Sequence, residues 1–190
     1  MDVERGRSTT TRGHAEAESG PDSVVRSMAC TLRAPAGIIP LMNLFDELVE
    51  VVKALDRSSV DYALVGGLAV GVWGAPRATK DIDLLIRPED LTRAKEAVRH
   101  VGYGLEALPM QFSDGMQMQR VSKVGAGQLM TVDFILVNAN LEPAWQSRTR
   151  HDTDVISLNV ISRDALIAMK VSAGRPQDQA DVIKLTEQDR

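Results

Sequence analysis

At 190 residues the chain has the length of one domain with room for a real core, and its 44% hydrophobic and 25% charged residues are ordinary for a globular protein. A formal net charge of −4 argues against a broad electrostatic grip on nucleic acid, so no DNA partner is expected, although a local basic patch stays open. The single Cys30 excludes an internal disulfide and a cysteine-based zinc site, and no apolar run approaches the roughly 20 residues that cross a bilayer, so the sequence reads as cytoplasmic, without a membrane partner.

Residues 1–41 differ from the rest. They are rich in Ser, Thr, Arg, Gly, Glu and Pro and lack aromatics, the composition of a disordered arm. Basic and acidic residues balance there, and no unbroken apolar core follows the basic start, which speaks against both a nucleic-acid tail and a secretory signal. Met28 and Met42 are alternative starts, and the folded domain is expected over 42–190.

Asn43 suits the N-cap of a helix carrying Leu44, Phe45, Leu48, Val49, Val51, Val52 and Leu55 at helical spacing. Val60 to Val65 is a β-leaning run that stops at Gly66-Gly67. Leu68, Ala69, Val70, Val72 and Trp73 then give a short helix ending near Gly74 and Pro76. A glycine turn feeding a helix leaves backbone N–H groups and a positive dipole end facing the loop, which suits a phosphate.

Asp81 to Ile86 reads as a strand, and residues two apart on a strand share a face. Asp81 and Asp83 therefore repel each other unless something positive lies between them, and a divalent magnesium ion answers that need with hard oxygen ligands. Arg77 and Thr79 join the same face if the strand begins early. The alternative leaves Asp81 in solvent and pairs Asp83 with Arg77 or Lys80. A third acid, Asp133, stands near the middle of the apolar run Gln128 to Val137, where a carboxylate is out of character. Three carboxylates from two strands beneath a phosphate-binding turn meet the needs of two-metal phosphoryl chemistry.

The remaining elements read as architecture. A helix begins at Pro88 with an apolar stripe through Leu91, Ala94, Ala97, Val98 and Val101, and His100 in its last turn suits the dipole. Met116 to Val121 alternates as a strand, and Gly125-Ala126-Gly127 predicts a hairpin into the Asp133 strand. Nothing in the sequence singles out Gln111, Ser113, Gln117, Gln119 or Arg120, although any of them could line an acceptor pocket. Residues 138–154 read as polar loop, with Arg148, Arg150 and His151 as a basic cluster open either to phosphate or to solvent. Val155 to Ile161 is a strand by alternation, Ser162 caps a helix, Gly174 ends it and Pro176 opens the next.

Gly66-Gly67, the run Arg77-x-Thr79-x-Asp81-x-Asp83, and Asp133 together resemble the polymerase-β-type nucleotidyltransferase superfamily, and within it the AbiEii-like and small bacterial aminoglycoside-type enzymes. The C-terminal run Lys170…Arg175…Asp178-x-x-Asp181 resembles the same family's pattern. One departure is Gly67, where many relatives carry a phosphate-touching Ser. The resemblance implies an α/β (α+β) nucleotidyltransferase fold, a small mixed β-sheet flanked by helices. It implies two Mg2+ ions on Asp81, Asp83 and Asp133, and an NTP as substrate. Gly66, Gly67, Arg77 and Thr79 would meet the triphosphate, with Lys170 and Asp178 in support. The acceptor is a small molecule, a tRNA or a protein, in a resistance-type or toxin–antitoxin setting.

Two alternatives stay open. Lys170, Arg175, Asp178 and Asp181 can instead form an ion-pair lattice between two helices. The domain as a whole can instead be a catalytically idle nucleotide-binding module that regulates a partner.

Overall fold

A computed structural model describes residues 43–113, 115–125 and 127–187, so the expected arm over 1–41 lies outside the described residues. Helix α1 (Leu44–Arg57) is followed by β1 (Tyr62–Leu64), α2 (Gly66–Val72) and β2 (Asp81–Ile86). A single 3-10 turn (Pro88–Asp90) leads into α3 (Leu91–Arg99), then β3 (Leu105–Glu106), β4 (Met110–Gln111), β5 (Gln117–Gly125) and β6 (Gln128–Leu136). The chain continues through α4 (Glu142–Gln146), β7 (Thr149–Asp152), β8 (Ser157–Val160), α5 (Arg163–Ala173) and α6 (Pro176–Glu187). None of the described helices is long and apolar enough to cross a membrane.

All the strands join one mixed eight-stranded sheet, in the order β3-β5-β6-β2-β1-β8-β7 with β4 on β5. β2 lies parallel to β6 and β1 parallel to β8, while the other pairs are antiparallel. The expected mixed sheet flanked by helices is what forms.

Local chemistry accounts for the element ends. The Asn43 carboxamide accepts from the Phe45 N–H at 3.0 Å and so caps α1. Ser162 Oγ accepts from the Ala165 N–H at 3.2 Å, and Gly174, with φ +64°, closes α5 in the left-handed conformation. α1 packs on α3 and reaches β2, α2 lies along β2, and α5 joins α2, α4 and α6. The core gathers Leu48, Leu55, Tyr62, Leu64, Ile82, Leu84, Ile86, Val132, Phe134 and Ile161, each almost wholly buried.

Residues 138–154 are more ordered than expected. Trp145 is buried in α4, with the Arg148 guanidinium 4.0 Å and the Arg87 guanidinium 5.0 Å from its ring centroid. Thr149 to Asp152 pair with β8, where Arg150 bonds Asp152 and Ser157, and His151 meets the edge of Trp73 at 5.1 Å. Tertiary pairing overrides the polar composition, and the basic cluster is engaged in packing.

Candidate active site

Register places the acids. β2 and β6 pair in parallel with Asp83 opposite Asp133 and Asp81 opposite Thr131. Neighbouring strands run about 4.8 Å apart, and aligned residues of a parallel pair project to the same face. On that face Asp81 and Asp83 are half-buried and Asp133 is buried, while Ile82, Leu84, Val132 and Phe134 fill the opposite side.

The glycine turn sits on Asp83 because the ladder carries it there. The Val65 N–H donates to the Asp83 carbonyl at 3.0 Å, extending the β1–β2 pairing up to the first glycine. Gly66 then takes φ +66°, and a Cβ built on it would stand 1.9 Å from Asp83 Oδ2. Only glycine fits this contact. The Gly67 N–H lies close enough to the Asp83 carboxyl to favour its charged form. A Cβ on Gly67 would meet the Thr79 side chain at 2.8 Å and Arg77 Nη1 at 3.2 Å. Arg77 and Thr79 therefore lie against the turn although β2 starts only at Asp81, so they reach it from the preceding loop and not by strand parity.

Asp83 is under electrostatic load. Burial, with the Asp133 and Asp81 carboxylates adding to it, pushes its carboxyl up to about 6, against the pull of Lys170 and the Gly67 N–H. Asp133 answers to a residue that the sequence alone did not select. Arg120, opposite it on β5, donates from Nε to Oδ1 and from Nη2 to Oδ2, both at 2.7 Å. That bidentate fork holds the guanidinium charged more firmly than usual. The signal was present in the hairpin. With Gly125 paired to Gln128, counting back five positions on each strand brings Arg120 opposite Asp133.

Lys170 and Asp178 belong to a buried lattice on α5 and α6, with the Lys170 charge reaching Asp83. Lys170 Nζ bonds Asp178 Oδ1 at 3.0 Å and Asp181 Oδ2 at 2.8 Å. Arg77 completes Asp181 from the other side, Nε to Oδ1 at 2.7 Å and Nη2 to Oδ2 at 2.9 Å. Arg175 forks onto Asp178, Nε to Oδ2 at 2.6 Å and Nη2 to Oδ1 at 3.2 Å. Burial alone would raise the Asp181 carboxyl, but bonds from Arg77, Lys170 and Gln177 outweigh it and hold the group at about 2. The lattice thus ties the C-terminal helices to the loop beneath the glycine turn. Gln119 is spent structurally, donating to the Ala107 carbonyl at 2.7 Å.

The acids form a partial donor set for a divalent cation. Asp81 and Asp83 offer hard oxygens on one face, and the raised Asp83 carboxyl marks an excess of negative charge that a cation would relieve. Both Asp133 oxygens are turned to Arg120, and among the described residues no trio of Asp, Glu, His or Cys side chains stands ready-made around a metal. Each Asp133 oxygen keeps a second lone pair, so the chemistry of the three acids is compatible with a cation.

A family model described as "nucleotidyltransferase of unknown function (DUF6036)" matches residues 40–187. The chain belongs to this nucleotidyltransferase family. Solved structures agree on the fold. A Thermotoga maritima protein assigned to the nucleotidyltransferases superposes with TM-score 0.54 at 14% identity, covering 82% of this chain and 98% of that one. The antibiotic-resistance factor ANT(2'')-Ia superposes with TM-score 0.52 at 14% identity, covering 76% and 83%. In a second structure, holding adenylyl-2''-tobramycin, it gives TM-score 0.50 at 15% identity over 74% and 85%. No curated protein matches in sequence. These similarities show a nucleotidyltransferase family and a shared fold, and they do not single out the AbiEii-like branch.

Proposed function

We propose that this domain transfers a nucleoside monophosphate from an NTP to an acceptor hydroxyl and releases pyrophosphate. The observation that carries the reading is the pairing of Asp83 with Asp133, with Asp81 on the same face, directly against the Gly66-Gly67 turn. The acceptor oxygen bonds to the α-phosphorus as the bond to the pyrophosphate oxygen breaks, and the acceptor proton leaves to a carboxylate. Asp81, Asp83 and Asp133 would hold Mg2+, two ions in the full reading. When bound, magnesium supplies charge neutralisation on the triphosphate and a lowered pKa for the acceptor hydroxyl.

The chain's own residues supply the frame. Asp83 packs against the Gly66 backbone, where its side chain fills the space a Cβ would take. Asp133 is the buried carboxylate placed to take the proton, oriented by Arg120. The bare Gly66 Cα lets Asp83 pack against the turn whose backbone would meet the β and γ phosphates, with Arg77 and Thr79 against Gly67. Lys170 pulls the Asp83 carboxyl down through space and Asp178 holds Lys170, which is the supporting role assigned to them. The acceptor is a small molecule, a tRNA or a protein, and the setting resistance-type or AbiEii-like toxin–antitoxin. ANT(2'')-Ia, with its adenylylated tobramycin, supports the small-molecule case by fold alone.

An idle module acting as a regulatory or toxin–antitoxin partner draws on a different observation, the clamp of Arg120 on both Asp133 oxygens. Transfer of the α-phosphate to an acceptor separates the readings, and a binding titration tests the site they share. The enzyme binds ATP or GTP more tightly with magnesium, and Asp83→Ala loses that dependence. Magnesium-independent binding, unchanged in Asp83→Ala, would remove the proposed site.

A further inference from the structure

The cations of the α5–α6 lattice are not equivalent. Arg77, Lys170 and Arg175 bond Asp178 and Asp181, and the charges of Lys170 and Arg175 also reach Asp83. Lys170 is 5% exposed and bonded to both acids, so it has no room for a ligand. Arg77 is 19% exposed at its side chain, with Nε and Nη2 on Asp181 and Nη1 on the Ala78 carbonyl. Arg175 is different. Its side chain is 74% exposed, aimed by Asp178 alone, and its guanidinium is close enough to Asp83 to feel that carboxylate.

The acid floor thus has an arginine on either side. Arg120 stands on the β5 side and is committed to Asp133. Arg175 stands on the α6 side, joined through Asp178, Lys170, Asp181 and Arg77 to the loop that carries Thr79 and to the glycine turn. We infer that Arg175 is the side chain that grips the triphosphate tail of the NTP, with Asp178 holding its guanidinium in place and the buried Lys170 and half-buried Arg77 acting only as positioning cations. Exposure, a planar guanidinium held along one edge by Asp178, and an Nη1 outside that fork are what recognition of a phosphate oxygen needs. The inference rests on the nucleotidyl-transfer reading and changes the residue to which the triphosphate contact is assigned.

The test is calorimetric titration of the whole chain with ATP, GTP, AMP and GMP in magnesium, for wild type, Arg175→Gln, Arg175→Lys and Asp83→Asn. Losing one charge-assisted contact weakens triphosphate binding about 10- to 100-fold. The monophosphates, which lack the tail, change less than about threefold. Arg175→Lys recovers part of the loss, because a point charge replaces a fork. The exposed position and the remaining Lys170–Asp178 bond keep both variants folded, which a melting curve checks. If Arg175→Gln binds triphosphates like wild type while Asp83→Asn does not, the inference falls and the nucleotidyl-transfer reading stands. If wild type binds neither triphosphate with magnesium, both fall.

Discussion

Replacing Gly66 by alanine tests the contact on which the site is built. The native φ of +66° costs an alanine about 1 kcal/mol. The new methyl would lie 1.9 Å from Asp83 Oδ2 and 2.5 Å from its Cγ, far inside van der Waals contact, so either Asp83 or the turn must move. Overpacking of this kind costs about 1–3 kcal/mol. The sum is about 3 kcal/mol, or about 10 °C in melting temperature for a domain of this size. Thermal unfolding followed by circular dichroism gives the stability, and magnesium-dependent nucleotide binding gives the function. Gly67→Ala is the control. It has no positive φ and meets the side chain of Thr79, a loop residue able to yield, so its loss should be about half as large. A Gly66→Ala protein that melts within about 2 °C of wild type and binds nucleotide normally would refute the reasoning.

Asp83→Asn removes a carboxyl held up to about 6, so without metal at pH 8 the variant should be more stable by about 2 kcal/mol. A raised carboxyl lets the folded state hold its proton longer, so wild type loses stability as pH rises from about 4 to about 6, and the variant should lose that slope. Asp181 has the opposite sign. Its folded carboxyl lies at about 2, below the ordinary 3.8, so its contribution of about 2 kcal/mol is full above pH 4 and disappears as pH falls toward 2. Asp181→Asn should flatten acid unfolding in that window and lower stability at pH 7 by about 3 kcal/mol, since Lys170 and Arg77 lose a buried partner. Arg120→Gln strands the buried Asp133 and should cost about 3 kcal/mol by urea unfolding, most of it recovered in the Arg120→Gln/Asp133→Asn double variant.

Much of the site is legible in the sequence because it obeys period-two rules. Asp81 and Asp83 share a face by spacing alone, and Asp133 announces itself as a charge inside an apolar strand. Gly66-Gly67 marks the turn, but that Gly66 must lie on Asp83 follows from a backbone bond between Val65 and Asp83, which no local pattern encodes. Arg120 was within reach of hairpin arithmetic, yet an arginine on an alternating strand is usually solvent-facing. The lattice poses a different difficulty. The spacing of Lys170, Arg175, Asp178 and Asp181 allows either a structural or a nucleotide-facing role, and only burial separates the enclosed Lys170 from the exposed Arg175. Residues 138–154 were misread because polar composition hides the pairing of β7 with β8, which depends on a strand formed later in the chain.

Nucleotidyl transfer is tested most directly by following the α-phosphate. Extract is incubated with magnesium, the protein and NTPs labelled at either the α or the γ position. The account predicts that α-label passes to an acceptor with release of pyrophosphate, that γ-label appears only in pyrophosphate, and that Asp81→Asn and Asp83→Asn abolish both. Transfer of γ-label to the acceptor, release of inorganic phosphate alone, or full α-label transfer by the Asp83→Asn protein would contradict it.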